Sequence, residues 1–307
     1  MDRRGFLGFA FAATACSTLT TSEASCAASN GPLRLGVVAD PQYADIDNLN
    51  TRFYRQSIEK LTRAVEYFNE QELSFCVNLG DTIDKHWQSY DQIMVPFSKS
   101  RYRVHHVLGN HDFDLLDEFK SRVSNRLGIP NRYYSHEMGR WRFVFLDTTD
   151  VSLYAQPSSE PTYAVADNEL KKLKSTNAIH AQSWNGSVSQ RQLDWFQDVC
   201  TAAAKKQQRV IVFSHHPVFP ANAHNAWNSS QILEVVGRHR NVVAWMNGHN
   251  HAGNLGIHED VPFVTMKGMV ETTDTNAFSV VSLHEDRLLI EGHGREPSRE
   301  LKFRPLA

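Results

Sequence analysis

With 307 residues, 41% of them hydrophobic and 21% charged, the chain has enough apolar side chains for a full core and does not have the composition of a disordered segment. A formal net charge of −2 leaves no basic surplus of the kind that holds nucleic acid or anionic lipid nonspecifically, so an anionic ligand must be captured locally. Four cysteines are too few for a disulfide framework, and the two beyond residue 30, Cys76 and Cys200, read as buried free thiols.

The first thirty residues are a compositional unit of their own. Arg3 and Arg4 precede an apolar stretch over residues 6–15, and small residues continue through CAAS at 26–29. That is the pattern of an export leader, and DRRGFLG at 2–8 resembles the twin-arginine signal, which exports folded proteins in bacteria. The expected location is periplasmic, with cleavage near Ala27 or Ala28 and a single domain over residues 31–307. A retained anchor is disfavoured because the apolar stretch is short for a membrane span and polar residues dilute it from Ser17 onward. A lipid anchor on Cys16 is the lesser alternative, since the preceding ATA lacks the bulky residue such a site carries.

Beyond Gly31, short apolar runs alternate with amphipathic stretches. LRLGVVAD at 33–40 predicts a strand, and residues 51–70 predict a helix with Ile58, Leu61, Val65 and Phe68 at helical spacing. LSFCVNLGD at 73–81 predicts a buried strand, residues 87–100 a helix, and RVHHVLGNHD at 103–112 a strand running into a loop. A further helix should carry Leu116, Phe119, Val123 and Leu127 on one face, and residues 132–148 a hairpin turning near Gly139. Residues 150–187 break the rhythm, holding little but the polar segment DNELKKLKS; they read equally as a lid or as a decorative insertion. Ser189 then opens a helix, RVIVFSHHP at 209–217 is a strand, residues 229–238 a helix, and NVVAWMNGHNH at 241–251 a strand. VPFVTMKG, NAFSVVSLH and RLLIEGHG make the end mostly strands. The order predicts an α/β sandwich of two sheets with helices outside.

Five of the apolar runs end in the same way. They finish on Asp40 and Gln42, on Asp81, on Asn110 and His111, on His215, and on His249 and His251. Any one alone reads as a turn residue, a cap or an ordinary histidine. Five at successive strand ends imply tips that converge on one carboxyl edge and gather carboxylates, amides and imidazoles around metal. The absence of cysteine argues against structural zinc, and the mixed set suits manganese, iron, zinc or magnesium. Seven such donors exceed the needs of one ion but fit a pair ~3.5–4 Å apart sharing a carboxylate.

Asp40, GD at 80–81, GNH at 109–111, SHHP at 214–217 and GHNH at 248–251 resemble the calcineurin-like metallophosphoesterases in identity, order and spacing. The resemblance implies a four-layer sandwich of two mixed β-sheets flanked by helices. It implies Asp81 as the bridging ligand, Asp40, Gln42 and His251 on one ion, Asn110, His215 and His249 on the other, and His111 as the acid near the leaving group. Most such proteins carry histidine where Gln42 stands. The glutamine, with RFYRQS at 52–57, SVSQRQLDWF at 187–196, AWN at 226–228, ETTDTNAF and GHGREP, resembles the manganese-dependent ADP-ribose/CDP-alcohol diphosphatases. Against that group the loop between Ala44 and Arg52 is shortened, and His224 replaces a different small side chain.

The implied chemistry is hydrolysis of a phosphoanhydride in a small nucleotide substrate by a hydroxide formed between two divalent ions, manganese being favoured. His224, Trp227 and Asn228 are near enough to the SHHP strand to wall the substrate, and equally fit core or capping roles. Rival readings are a phosphomonoesterase or cyclic-nucleotide phosphodiesterase on the same ions, and a non-catalytic scaffold, which typically loses ligands that this chain retains. A purple acid phosphatase is disfavoured because Asp84 stands where that group places tyrosine.

Overall fold

A computed structural model of the chain describes residues 31–305. The predicted leader, with Cys16 and both arginines, lies outside the described residues. Strands β1 (Leu33–Val38), β2 (Phe75–Asn78) and β3 (Val104–His106) run parallel, and β10 (Ala277–Leu283), β11 (Arg287–Gly294) and β12 (Arg299–Lys302) extend the sheet antiparallel from the far side of β1, in the order β12-β11-β10-β1-β2-β3. The second sheet runs β4 (Tyr134–Met138), β5 (Trp141–Phe145), β6 (Arg209–Ser214), β7 (Val242–Asn247), β9 (Val261–Thr265) and β8 (Asn254–His258). Both sheets are mixed, as the resemblance implies.

Period-two alternation decides which layer each strand residue feeds. Leu35 and Val37 join Phe75, Phe143, Phe145 and Phe213 in the core between the sheets, with Phe75 and Phe143 edge to face at 4.8 Å. Val38 faces outward onto α1 (Ser57–Glu70), where Leu61, Val65 and Phe68 are buried, each contributing roughly 1.5–3 kcal/mol. Gly36 lets that helix sit against the backbone, because a Cβ there would lie 2.9 Å from Phe68 Cδ2. α2 (Ser89–Ser98) completes this outer layer. On the opposite face Phe196 and Cys200 of α6 (Gln190–Lys205) and Ile232 and Val236 of α7 (Ser229–Arg238) pack on Val210 and Val212. Ser189 caps α6, accepting from the Gln192 backbone N–H.

The structure departs from the sequence expectations at several places. α1 begins at Ser57 rather than at residue 51: Arg52 is tied by isolated bridges to Leu49 and Glu271, and residues 54–56 form a turn before the helix. The single helix expected around Leu116–Leu127 is two short ones, α3 (Asp117–Lys120) and α4 (Val123–Arg126), and Leu116 is 69% exposed. β8 and β12 were not anticipated: both are edge strands, half exposed and weakly apolar. Within residues 150–187 lies a full helix, α5 (Pro161–Ser175), opened by Pro161; only Ala166 and Leu170 are buried on it, too thin an apolar stripe to read. Cys76 and Cys200 are buried free thiols. Among the described residues no helix is long and apolar enough to cross a membrane.

Candidate metal centre

The parallel runs β1-β2-β3 and β6-β7 direct their carboxyl ends to one edge of the sandwich, and the predicted donors meet there. Asp40 and Gln42 follow β1, Asp81 follows β2, Asn110 and His111 follow β3, His215 follows β6, and His249 and His251 follow β7. Asp40, Gln42, Asp81 and His249 all have positive φ, of 51°, 43°, 51° and 69°. Left-handed backbone at non-glycine residues costs of order 1–3 kcal/mol each and persists where the surroundings impose it. Here hydrogen bonds between the loops impose it: Gln42 N donates to Asp81 O (2.8 Å), and Val270 N to Asp40 O (3.0 Å).

Among the described residues three groups of side chains offer ligand atoms within 4.8 Å of one another: Asp81, His215 and His249; Asp40, Asp81 and His251; and, beside them, Asp84, His111 and Asp114. Asp81 belongs to the first two. His215 Nε2 lies 3.3 Å from Asp81 Oδ2 and 3.1 Å from Asn110 Oδ1, and His251 Nε2 lies 3.7 Å from Asp40 Oδ1. Gln42 Nε2 donates to Asp81 Oδ2 at 2.8 Å. The rings of His215 and His251 are steadied from behind, Nδ1 of the first donating to Leu79 O (2.8 Å) and Nδ1 of the second lying 2.7 Å from Glu271 Oε1. Glu271 is held in turn by Lys60, a fully buried lysine of α1 whose ammonium donates to the carbonyls of Met269, Glu271 and Thr272.

The Gly-Asn-His turn is fixed by a buried carboxylate. Asp112 accepts from Thr82 N (2.9 Å), Gly109 N (2.9 Å) and Tyr90 OH (3.1 Å). Burial first and the Asp81 charge second raise Asp112 to about 6. A Cβ on Gly109 would stand 2.2 Å from Asp81 Oδ1, so glycine is required for the turn to pass that carboxylate.

The electrostatics favour a cation. Burial opposes ionisation of Asp81, yet His215 and His111 outweigh it and hold the carboxyl well below its usual range. Burial likewise opposes protonation of His215, but the Asp81 and Asp40 carboxylates raise it to about 9. His249 is driven the other way by burial and by the neighbouring imidazoles, and stays neutral. Gln42 Oε1 is buried with no hydrogen-bond partner, a cost of roughly 1–3 kcal/mol unless a cation meets it. With carboxylate, amide and imidazole donors and no thiolate, the residues fit a pair of hard to borderline divalent ions.

Beside this set stands His111. Its Nδ1 lies 2.6 Å from Asp84 Oδ1 and its Nε2 lies 3.3 Å from Arg52 Nη1. Burial lowers its proton affinity, but Asp81 and Asp84 prevail over burial and Arg52, and the net shift is upward. Arg52, Asp84, Glu271 and Asp112 carry no site role in the sequence reading, since none ends a strand; Asp84 and Glu271 touch His111 and His251, Asp112 holds the Gly109 turn, and Arg52 lies on the cleft wall. A cleft of about 430 Å³ opens in front, lined by Leu49, Asn50, Arg52, His224, Asn250 and Glu271 among others. His224 stands on its wall, with its ring 5.4 Å from that of His249. Trp227 and Asn228, the other two substrate candidates, brace the loops behind it instead. Trp227 is 3% exposed and its indole N–H donates to Gln182 O, while Asn228 pairs twice with the Val188 backbone.

Two α/β sheets whose carboxyl edges share one carboxylate between two donor groups define a dimetal phosphoesterase. The chain belongs to the calcineurin-like phosphoesterase family, whose model matches residues 33–253, and it is accordingly a metal-dependent hydrolase of phosphoric esters or anhydrides. A Bos taurus protein named manganese-dependent ADP-ribose/CDP-alcohol diphosphatase is 32% identical to it, covering 88% of this chain and 94% of its own length. The Homo sapiens protein of the same name is 30% identical over 88% of this chain and 92% of its own. Among solved structures, a dimetal phosphatase from Danio rerio superposes with a TM-score of 0.82 at 28% identity, covering 90% of this chain and 100% of that one.

Proposed function

We propose that the chain is a manganese-dependent diphosphatase that cleaves the phosphoanhydride of nucleoside diphosphate derivatives such as ADP-ribose or CDP-alcohols. The observation that carries this reading is Gln42, whose unpartnered buried oxygen stands beside Asp81 where most family members have histidine. An amide oxygen is a harder donor than an imidazole nitrogen and favours manganese or magnesium. The named diphosphatases, similar along nearly the whole chain rather than in the ligand motifs alone, support the same substrate class.

In this reading Asp40, Gln42, Asp81 and His251 hold one ion, and Asp81, Asn110, His215 and His249 hold the other. Bound there, the pair supplies the Lewis acidity that ionises water and offsets charge on phosphoryl oxygens. The remaining work falls to the chain's own groups. Asp84 engages Nδ1 of His111 and leaves Nε2 to hand a proton to the departing phosphate oxygen. Arg52, close to that nitrogen and on the cleft wall, brings a fixed positive charge to the phosphates. His224 faces the nucleotide from the cleft wall. A cleft of about 430 Å³ lies within the ordinary range for small-molecule sites.

Assaying ADP-ribose, CDP-choline, cyclic AMP and an aryl phosphate in parallel, with manganese, magnesium or zinc added to chelator-treated protein, tests the reading. Turnover of ADP-ribose or CDP-choline to nucleoside monophosphate, greatest with manganese, is expected. Preference for the aryl phosphate or the cyclic nucleotide would transfer the site to a monoesterase or phosphodiesterase. We further infer that residues 1–30 are a twin-arginine leader removed on export to the periplasm, ahead of a single domain over 31–307. The support is Arg3-Arg4 and the apolar stretch behind them. N-terminal sequencing of the exported protein should begin near Ala28, and an Arg3→Lys/Arg4→Lys variant should remain inside.

A further inference from the structure

Residues 150–187 leave the second sheet after β5 and return before α6, and their last turn reaches the metal centre. Asn185 is fully buried there. Its Nδ2 donates to His180 O at 3.0 Å and to Ala223 O at 2.7 Å, so both amide hydrogens are spent on carbonyl oxygens. A flipped amide would oppose oxygen to oxygen at both places, which forbids the flip and fixes Oδ1 toward His249 Nε2, 2.9 Å away. An amide oxygen only accepts. His249 must therefore carry its ring hydrogen on Nε2 and keep its lone pair on Nδ1.

His215 and His251 show the opposite arrangement. Each is engaged from behind through Nδ1 and presents Nε2 toward a carboxylate of the site. We propose that Asn185 is a positioning residue that sets the tautomer and ring plane of His249, so that this histidine offers Nδ1 to a cation where His215 and His251 offer Nε2. The proposal rests on the two-ion reading given above, and it makes residues 150–187 a part of the metal centre rather than a covering or a decoration.

The frame that carries Asn185 is rigid enough for the task. Trp227 N donates to Gly186 O (2.8 Å), and Val151 and Ser187 exchange backbone hydrogen bonds at 3.0 and 2.9 Å. His216 Nε2 donates to Trp184 O at 3.2 Å. Gly186 has no room for a side chain, since a Cβ would meet Thr148 O at 2.6 Å. Trp227 and Asn228 of the AWN motif thus brace the segment on either side of the asparagine.

Calorimetric titration of chelator-stripped protein with manganese tests this, using wild type, Asn185→Leu and His180→Ala. The last removes the bond from His180 Nε2 to Trp227 O (3.1 Å), loosening the same segment without touching the Asn185–His249 pair. Wild type should bind two ions. Asn185→Leu should weaken one of them about 10- to 100-fold and leave the other unchanged, while His180→Ala stays near wild type. Wild type that binds no ion would remove the two-ion reading and this proposal with it. Two ions in wild type and an unaltered pair in Asn185→Leu would overturn the positioning role alone, as would an equal loss in His180→Ala. Histidine ¹⁵N NMR of the stripped wild type supplies a measurement independent of how Asn185→Leu folds. The His249 ring, assigned by its absence in His249→Gln, should be the Nε2–H tautomer, and an Nδ1–H tautomer would overturn the proposal.

Discussion

Two adjacent histidines in β3, remote in role from the metal ligands, should make the fold sensitive to mild acid. His105 is 5% exposed and lies with its ring stacked 5.0 Å from Phe145, and His106 is 4% exposed with its ring edge to face with Phe97 at 5.0 Å. Burial lowers His105 to about 4, with Arg103 and His136 adding to the shift, and burial together with His105 lowers His106 to about 3. Both start from 6.5 in the unfolded chain. Because the folded values are depressed, the unfolded state binds more protons below 6.5, and stability falls with falling pH until the folded values are reached. At pH 5 each unfolded histidine is protonated by a ratio of roughly 30 to 1 and each folded one is largely neutral, a loss of about 2 kcal/mol per residue relative to neutral pH. Denaturant unfolding at pH 7.5 and pH 5 should be compared for wild type and a His105→Phe/His106→Gln variant. The substitutions keep an aromatic ring against Phe145 and an acceptor for Asn78 Nδ2, which lies 3.3 Å from His106 Nδ1. Whatever their effect at pH 7.5, the drop between the two pH values should shrink by about 4 kcal/mol in the variant. Ion loss is common to both proteins and cancels. A drop equal to that of wild type would refute the reasoning.

Gly109→Ala should displace Asp81, since the added carbon falls 2.2 Å from Oδ1, and turnover should fall at least ~100-fold with loss of bound metal by elemental analysis. Gln42→His replaces the unpartnered oxygen with a nitrogen donor, and competitive dialysis should then show retention shifted from manganese toward zinc. His111→Ala should lower kcat by about 10²–10⁴-fold while both ions remain bound. Asp84→Asn, which weakens the partner of His111 Nδ1, should lower kcat by less, again with metal content intact.

The donors were legible because each ends an apolar run, and parallel strands must bring such ends together; Asp40, Asp81, His215 and His251 are found where that logic puts them. The residues behind them were not legible. Glu271 and Asn185 reach His251 and His249 from loops 20 and 64 positions away, and although Glu271 opens the ETTDTNAF stretch, nothing local ties either residue to its histidine. Trp227 was open between a substrate wall and a core role, because proximity to the SHHP strand says nothing of direction; in the structure its indole N–H holds residues 150–187. The fold was readable wherever one face is apolar, as in α1 and α6, and unreadable where burial is slight, as in α5 and the edge strands β8 and β12.

The donors divide by sheet as well as by chemistry. Asp40, Gln42, Asp81 and Asn110 hang from the first sheet and supply oxygen; His215, His249 and His251 hang from the second and supply nitrogen. Bound ions would therefore suture one sheet to the other and raise the stability of the sandwich by mass action. Phe75, Phe143 and Phe213 fill the layer between those two sheets, so the spacing they hold is also the spacing across which oxygen and nitrogen donors face each other.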